Sequence, residues 1–184
     1  MHAHVMLDLE TMGNGSFSAI TAIGAATLFT GTQELHDIYK FSEDVSLQSS
    51  VDVGLQMDAS TVIWWLQQSE EARKPFKTNE GSDHLTVVLK KFSSYIDHVK
   101  SIVGDSNISV WGCGVSFDNV ILSNAYKTVG IKAPWEFWQD RCYRTLKNMY
   151  PQIKLDRVGT LHIAVDDATS QVLHLQKILN KIGD

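Results

Sequence analysis

The sequence predicts one α/β domain, in which helices pack on a mixed central sheet. Two observations predict this class: short apolar strands fill the start of the chain, and apolar residues at helical spacing dominate the remainder. A chain of 184 residues with a hydrophobic fraction of 43% suits a single globular domain spanning residues 1–184. No apolar run approaches the roughly 18 residues that a membrane span requires, so no membrane association is expected.

Three strands are predicted near the start of the chain, arranged as an antiparallel meander. In the first of them, Val5, Leu7 and Leu9 share one face, while Met6, Asp8 and Glu10 share the other. A fourth strand is short and apolar, and it ends at a turn that contains glycine. The predicted strands are residues 3–10, 19–29, about 35–41 and 108–111.

The remaining segments predict helices. The strongest periodic pattern follows Asp83, where apolar residues recur at intervals of three and four. Asp58 or Ser60 can cap an earlier helix, whose apolar stripe would contain Val62, Trp65 and Leu66. Further helices are predicted from near residue 117 to before residue 130, over residues 141–149, and from about residue 166 to residue 182.

The net charge of −5 is unusual for a protein that binds nucleic acid. Either nucleic acid is not the partner, or several carboxylates lie together and bound cations offset their charge. The two cysteines, Cys113 and Cys142, are too few for a disulfide framework. The N-terminus lacks the basic start of a signal peptide. These features predict a reducing, intracellular location.

Asp8 and Glu10 form the first candidate site. Residues two apart on a strand project from the same face, so both carboxylates point into one small volume. They are the only acidic residues in the chain at this spacing. Two unpaired carboxylates that close repel each other, and oxygen ligands of this kind suit Mg²⁺ or Mn²⁺. The alternative is a strand end that carries two solvated acids.

Asp118, His162 and Asp167 are the other candidates. Asp118 follows a buried strand and a turn, at the start of a predicted helix, where an acid can also simply stabilise the helix terminus. Asp167 lies in the first turn of the last predicted helix, and His162 lies in the loop before it. Taken alone, this pair is better explained by a capping acid beside an unrelated surface histidine.

Together these segments resemble the three motifs of the DEDDh (DnaQ-like) 3′-5′ exonuclease superfamily. The matching motifs are Asp8-Leu9-Glu10-Thr11, Phe117-Asp118 and His162-Ile163-Ala164-Val165-Asp166-Asp167-Ala168. They occur in the family's order and span almost the whole chain. Asp167 rather than Asp166 matches the last motif, because the family places its final Asp five residues after the histidine. Residues 8–14, 61–66 and 144–146 look like the exonuclease VIII-like and mycobacterial ribonuclease AS-like group.

The resemblance implies a ribonuclease-H-like fold and hydrolysis with two Mg²⁺ or Mn²⁺ ions. Asp8 would bridge both ions, Glu10 and Asp167 would hold the ion that activates water, and Asp118 would support the other. His162 would be the general base, since imidazole accepts a proton near neutral pH. The products would be nucleoside 5′-monophosphates, and the setting would be the cytoplasm of a bacterial or phage-infected cell.

Contacts with the substrate are predicted at a second group of residues. Adjacent helical positions are about 100° apart, so Trp65 is predicted to face the core and Trp64 the surface, where it would stack on an unpaired base. Phe117 is interpreted as a wedge against a base or as a core aromatic. Arg144, like Arg141, would hold phosphate or remain solvated. The predicted contacts are Thr11, Met12, Trp64, Trp65, Phe117 and Arg144.

The predicted partner is therefore a nucleic acid with a single-stranded 3′ end, with RNA and DNA both open. A monomer and a homodimer are both open as well. Two rival functions remain. A ribonuclease-H-like endonuclease would need no histidine at position 162. A non-catalytic interaction module on a nuclease scaffold should have lost at least one of the four carboxylates, and all four are present.

Overall fold

The computed structural model describes residues 1–31, 38–73 and 82–183. A five-stranded sheet in the order β3-β2-β1-β4-β5 lies at the centre of the described fold. Its strands are β1 (His2–Thr11), β2 (Ile20–Thr30), β3 (Tyr39–Asp44), β4 (Ile108–Gly112) and β5 (Asp140–Cys142). The first three strands pair antiparallel, as predicted, whereas β4 pairs parallel with both β1 and β5. The predicted α/β class with a mixed sheet is confirmed.

Six α-helices surround the described sheet. They are α1 (Leu47–Asp52), α2 (Ala59–Leu66), α3 (Leu85–Val103), α4 (Asp118–Thr128), α5 (Tyr143–Met149) and α6 (Ala164–Gly183), with a 3-10 turn at Phe137–Gln139. Asp58 is the N-cap of α2, where its carboxylate accepts a hydrogen bond of 2.9 Å from the backbone N–H of Ser60. Among the described residues, no helix combines the length and the apolar character needed to cross a bilayer.

Successive side chains of β1 point to opposite faces of the sheet, and each face has its own hydrophobic core. Val5 and Leu7 pack with apolar residues of α3 and α4 on one face. Met6 packs on the other face with apolar residues of α6, among them Val172 and Leu175. Because side chains alternate along a strand, Asp8 and Glu10 extend the face of Met6. The two acids therefore project on the side of the sheet that α6 covers.

Several predicted boundaries differ from the structure. The third strand runs from Tyr39 to Asp44, later than the predicted 35–41, part of which lies outside the described residues. The helix predicted from Arg141 begins only at Tyr143, because residues 140–142 pair with β4 as the edge strand β5. The last helix begins at Ala164, two residues before the predicted start.

Two features of the short helices also differ from the sequence analysis. Leu66 was predicted to share the apolar stripe of α2, yet it lies at the end of that short helix with 67% of its surface exposed. The helix α1 was not predicted, since its six residues are too few to show a periodic pattern. Its start depends on a local contact, in which the hydroxyl of Ser46 accepts a hydrogen bond from the backbone N–H of Ser49.

Candidate active site

A glycine in β2 allows α6 to approach the acidic end of β1. Gly24 pairs with Asp8 across the antiparallel strands. A Cβ atom at Gly24 would lie only 2.2 Å from the backbone carbonyl carbon of Ala164, the first residue of α6. Glycine inside a strand commonly marks such a close backbone approach. The first turn of α6, which carries Asp167, is thereby held against the strand that carries Asp8.

Four carboxylates meet at this place, as the sequence motifs predicted. Carboxylate oxygens of Asp8, Glu10 and Asp167 all lie within 4.8 Å of one another. Asp118, at the start of α4, is buried beside them, and its Oδ1 accepts a hydrogen bond of 3.3 Å from the backbone N–H of Leu9. The name acid cluster is used below for Asp8, Glu10, Asp118 and Asp167.

Three carboxyl groups of the acid cluster have raised pKa values, mainly because they are buried. Burial, followed by the charges of Asp118, Glu10 and Asp167, raises the pKa of Asp8 well above its ordinary value. Burial and the charges of Asp167 and Asp118 raise the pKa of Glu10 to about 8. Burial raises the pKa of Asp118 to about 6, although hydrogen bonds from backbone N–H groups oppose the shift. Such a site favours either bound protons or a bound cation.

Gln171 links the acid cluster to α6 one turn beyond Asp167. Its Nε2 donates a hydrogen bond of 2.8 Å to Oδ1 of Asp8. Its Oε1 is buried and has no hydrogen-bond partner among the described residues. A buried acceptor without a partner is costly, and a water molecule on a cation would supply the missing donor. Together with the all-oxygen donor set, this orphaned atom fits a hydrated divalent cation.

Arg157 contributes a positive charge to the acid cluster. Its guanidinium group forms an ion pair with Oδ1 of Asp167, while about half of the arginine side chain stays exposed. Neither Arg157 nor Gln171 was predicted from the sequence. Gln171 follows Asp167 by four residues, a spacing that places both on one face of a helix. That spacing is the signal that could have revealed it.

His162 lies in the loop before α6 and touches the acid cluster through its backbone. Its N–H donates a hydrogen bond of 2.9 Å to Oδ2 of Asp167. Its φ angle is +64°, a left-handed conformation that costs energy in residues other than glycine. The imidazole ring lies edge-on to the ring of Trp64, with 5.0 Å between the ring centroids. Asp166 instead stabilises the loop, because its Oδ2 accepts a hydrogen bond of 2.8 Å from the N–H of Thr160.

An aromatic cleft of about 220 Å³ adjoins the acid cluster. Trp64 is 41% exposed, whereas Trp65 is 4% exposed and donates a hydrogen bond of 2.9 Å from Nε1 to the backbone oxygen of Thr11. Phe117 packs partly on the core and also lines the cleft. The residues lining this aromatic cleft are Leu9, Glu10, Thr11, Gly13, Asn14, Thr61, Trp64, Trp65 and Phe117.

The remaining predicted contacts lie in different environments, some buried and one exposed. Met12, a predicted substrate contact, packs its side chain into the hydrophobic core and does not line the aromatic cleft. The register shift between Glu10 and Thr11 ends the alternation of β1 just before it. The hydroxyl of Thr11 is buried and donates to the backbone oxygen of Gly13. Arg144 is exposed, and its Nη2 donates a hydrogen bond of 2.6 Å to the backbone oxygen of Cys113, beside Asp118.

Comparison with known proteins assigns the family. Residues 3–179 match the family described as the Rv2179c-like 3′-5′ exoribonuclease domain. The chain belongs to this family. An exodeoxyribonuclease of Enterobacteria phage T4 is 27% identical over 160 residues, which cover 76% of this chain and 68% of the phage protein. The chain is accordingly a member of an exonuclease family, as the sequence motifs indicated.

Two solved structures show the same fold. The nuclease domain of 3′hExo, a DEDDh family member bound to rAMP, has a TM-score of 0.63 at 17% identity and covers 97% of this chain and 92% of its own. The zinc-bound complex of E. coli ExoI with single-stranded DNA has a TM-score of 0.59 at 10% identity and covers 98% of this chain. This chain spans 41% of that longer protein. The expected ribonuclease-H-like fold is confirmed.

The raised pKa values predict how the stability of the metal-free protein depends on pH. A carboxyl whose pKa is raised on folding binds its proton more tightly in the folded state, so its contribution is lost as pH rises towards the folded pKa. Between pH 6.5 and 8, Glu10 should reduce the free energy of unfolding by about 1 kcal/mol per pH unit, with a slope that declines as the pH approaches the folded pKa of about 8. In EDTA we expect Tm to fall by about 3 °C per pH unit in this range.

Glu10→Gln is the matched variant for this measurement, since it keeps the shape and removes the titrating group. Its Tm in EDTA should fall less steeply between pH 6.5 and 8. The range excludes lower pH, where the lowered pKa values of His2 and His4 have the opposite effect on stability. Differential scanning calorimetry across this range is the measurement. Equal slopes in both proteins would contradict the proposed origin in Glu10.

Proposed function

We propose that this chain is a metal-dependent 3′-5′ exonuclease that hydrolyses single-stranded DNA or RNA to 5′-mononucleotides. The observation that carries the proposal is the acid cluster, in which oxygens of Asp8, Glu10 and Asp167 lie within 4.8 Å of one another beside an aromatic cleft. Membership of an exonuclease family supports it. The family is described as exoribonuclease and the phage relative as exodeoxyribonuclease, so both polymers are kept as substrates.

The acid cluster would hold two Mg²⁺ or Mn²⁺ ions. Bound there, such ions stabilise the negative charge on the attacking and leaving oxygens of a phosphodiester. Asp8 is central among the four carboxylates, because its pKa is affected by the charges of the other three. Gln171 orients the Asp8 carboxylate, and the N–H of His162 orients that of Asp167. These contacts fix the carboxylate oxygens that would face the ions.

His162 would accept the proton of the attacking water. Its backbone N–H contacts Asp167, and its imidazole packs edge-on against Trp64, which lines the aromatic cleft together with Glu10. General bases act only within hydrogen-bond reach of the proton that they remove. Trp64 and Phe117 would enclose the terminal base in the aromatic cleft, which holds the last phosphodiester beside the carboxylates.

The decisive experiment compares matched RNA and DNA oligonucleotides with a label at either end. With Mg²⁺ or Mn²⁺, a 3′-terminal label should appear at once in a mononucleotide, while a 5′ label should remain on progressively shorter products. EDTA should abolish the activity, and added metal should restore it. Mass spectrometry of the product should show a 5′-phosphate.

A circular single strand separates the alternatives. An exonuclease leaves it intact, because the circle offers no 3′ end. Cleavage of the circle would instead identify an endonuclease. Binding of linear oligonucleotides without any cleavage in Mn²⁺ would identify an interaction module. Early release of a 5′ label would contradict the proposed direction.

The exposed side chain of Trp64 leads us to expect a preference for unpaired 3′ ends. Its exposed ring offers a face for stacking, which contributes about 1–3 kcal/mol per base. Substrates with a 3′ overhang should therefore be degraded faster than blunt ends or 5′ overhangs. Trp64→Ala should raise KM by roughly 5- to 100-fold, with a smaller effect on kcat. Steady-state kinetics on the three kinds of end are the measurement.

Two further variants control for this test. Trp138→Ala removes another exposed tryptophan that does not line the aromatic cleft, and it should leave KM unchanged. Trp65→Ala removes a buried ring and its hydrogen bond to Thr11, and it should lower stability by about 3–5 kcal/mol. Equal rates on all three ends, with normal KM for Trp64→Ala, would show that Trp64 only packs.

A further inference from the structure

One segment of this acidic protein is strongly basic. Residues 141–157 contain five lysines and arginines but a single acid, whereas the whole chain has a net charge of −5. That acid, Asp156, is already paired with Lys177 of α6. The basic residues of the segment are Arg141, Arg144, Lys147, Lys154 and Arg157. The segment runs from the end of β5 through α5 into the loop that leads to α6.

Two of these side chains contact the surroundings of the acid cluster. The guanidinium group of Arg144 lies over Gly114, and its charge opposes the effect of burial, which raises the pKa of the neighbouring Asp118. Arg157 forms its ion pair with Asp167. The basic segment therefore borders the acid cluster at two of its four carboxylates. Arg141 lies elsewhere, on the edge strand β5, where its Nη1 donates to the backbone oxygens of Trp138 and Asp140.

Two lysines extend the positive charge away from the acid cluster. Lys147 follows Arg144 by three residues on α5, and its Nζ lies 6.0 Å from the centre of the Tyr143 ring. Lys147 and Lys154 line one surface depression of about 330 Å³. The name basic surface is used below for Arg144, Lys147, Lys154 and Arg157, all of which are exposed.

We propose that the basic surface binds phosphates of the substrate strand on the 5′ side of the bond that is cut. The inference rests on the proposed exonuclease function and concerns the part of the strand that stays bound. The aromatic cleft adjoins the acid cluster at Glu10, whereas the basic surface adjoins it at Asp118 and Asp167. A strand with its 3′ end in the cleft therefore crosses the acid cluster and continues over the basic surface.

Electrostatics favour a single strand of nucleic acid as the occupant. Lysine and arginine side chains neutralise backbone phosphates and release condensed counterions, which makes binding sensitive to salt. The basic surface has four exposed cations and borders carboxylates, so it suits one flexible strand whose phosphates contact those cations. It also explains how a protein with a net charge of −5 can hold a polyanion near its carboxylates.

The test compares a substrate that is long enough to reach the basic surface with a substrate that contains only the bond that is cut. A dinucleotide without a terminal phosphate has only the bond that is cut, whereas an oligonucleotide of about ten residues also reaches the basic surface. The variant is Lys147→Gln combined with Lys154→Gln, which leaves Arg144 and Arg157 intact. For the oligonucleotide, KM should rise roughly tenfold at low salt, and the slope of log KM against log salt should fall by about 1.4. For the dinucleotide, kcat/KM should change less than about twofold.

The matched control is Lys90→Gln combined with Lys127→Gln, on the helices that cover the other face of the sheet. It removes the same charge and should leave both substrates unaffected. An unchanged KM for the oligonucleotide in the Lys147 and Lys154 variant would overturn the proposal. So would an equal loss on the dinucleotide or an equal effect of the control pair. If the unmodified protein degraded neither substrate in Mn²⁺, the proposed function would fail, and this inference with it.

Discussion

Asp8→Asn should reduce nuclease turnover by about 10³-fold or more. The carboxylate is central to the acid cluster, and ions held there supply several kcal/mol of charge stabilisation, at about 1.4 kcal/mol per tenfold in rate. The asparagine retains an acceptor for Nε2 of Gln171, so local packing should survive. Single-turnover kinetics on a 3′-labelled oligonucleotide, with saturating Mn²⁺, are the measurement.

The same variant should be more stable than the native protein when metal is removed. The pKa of Asp8 is raised by burial and by three neighbouring carboxylates, so its ionised form destabilises the folded state. We expect a higher Tm for Asp8→Asn in EDTA at pH 8, and a smaller rise in Tm when Mn²⁺ is added. A site that gains stability while losing activity is typical of a functional cluster of like charges.

Asp166→Asn is the matched control. It changes an acid next to Asp167, but that acid bonds to the N–H of Thr160, and asparagine can accept the same hydrogen bond. Its turnover and its response to Mn²⁺ should resemble those of the native protein. Full activity in purified Asp8→Asn, or an equal loss in Asp166→Asn, would contradict the proposed roles.

The first two acids could be predicted from the sequence because their geometry is local. Strand periodicity alone places Asp8 and Glu10 on one face, and the structure brings their oxygens together. Asp118 and Asp167 needed the family resemblance. Their approach depends on long-range packing, including the contact of α6 with Gly24 of β2. No periodic pattern in a single sequence encodes which helix terminus will rest on which strand.

The missed features share this dependence on tertiary contacts. The strand β5 has three residues, and only its pairing with β4 distinguishes it from the start of a helix. Gln171 and Arg157 are ordinary polar residues until α6 and its preceding loop bring them to Asp8 and Asp167. Met12 was predicted as a contact because it follows Glu10 closely in the sequence, whereas in the structure the register shift after Glu10 is followed by a core position.

Replacing His162 tests whether this residue transfers a proton or binds metal. Replacing His162 should lower kcat by roughly 10² to 10⁴, the usual contribution of a general base, while the affinity for Mn²⁺ stays close to that of the native protein. Metal binding should persist because all four carboxylates remain. In addition, the contact of residue 162 with Oδ2 of Asp167 comes from the backbone N–H, which any replacement retains.

The choice of replacement follows from the backbone. Residue 162 has a φ angle of +64°, which asparagine adopts more readily than most residues. His162→Asn should therefore keep the loop in place, and His162→Ala should show whether a strained backbone adds to the loss. His98→Ala, on α3, is the matched control and should retain full activity. Calorimetric titration with Mn²⁺ and kcat across pH 5.5–9 are the measurements.

The dependence of kcat on pH tests the role of His162 more directly than the Mn²⁺ titration does. In the native enzyme, kcat should rise with pH as the general base loses its proton, and then become constant. Both replacements should lack this rising limb and show a much lower rate. A variant that keeps the limb would assign it to another group, such as Glu10, whose pKa is raised to about 8 in the metal-free protein. A large loss of Mn²⁺ affinity in His162→Asn would instead identify His162 as a metal ligand, because the carboxylates and the backbone contact are unchanged.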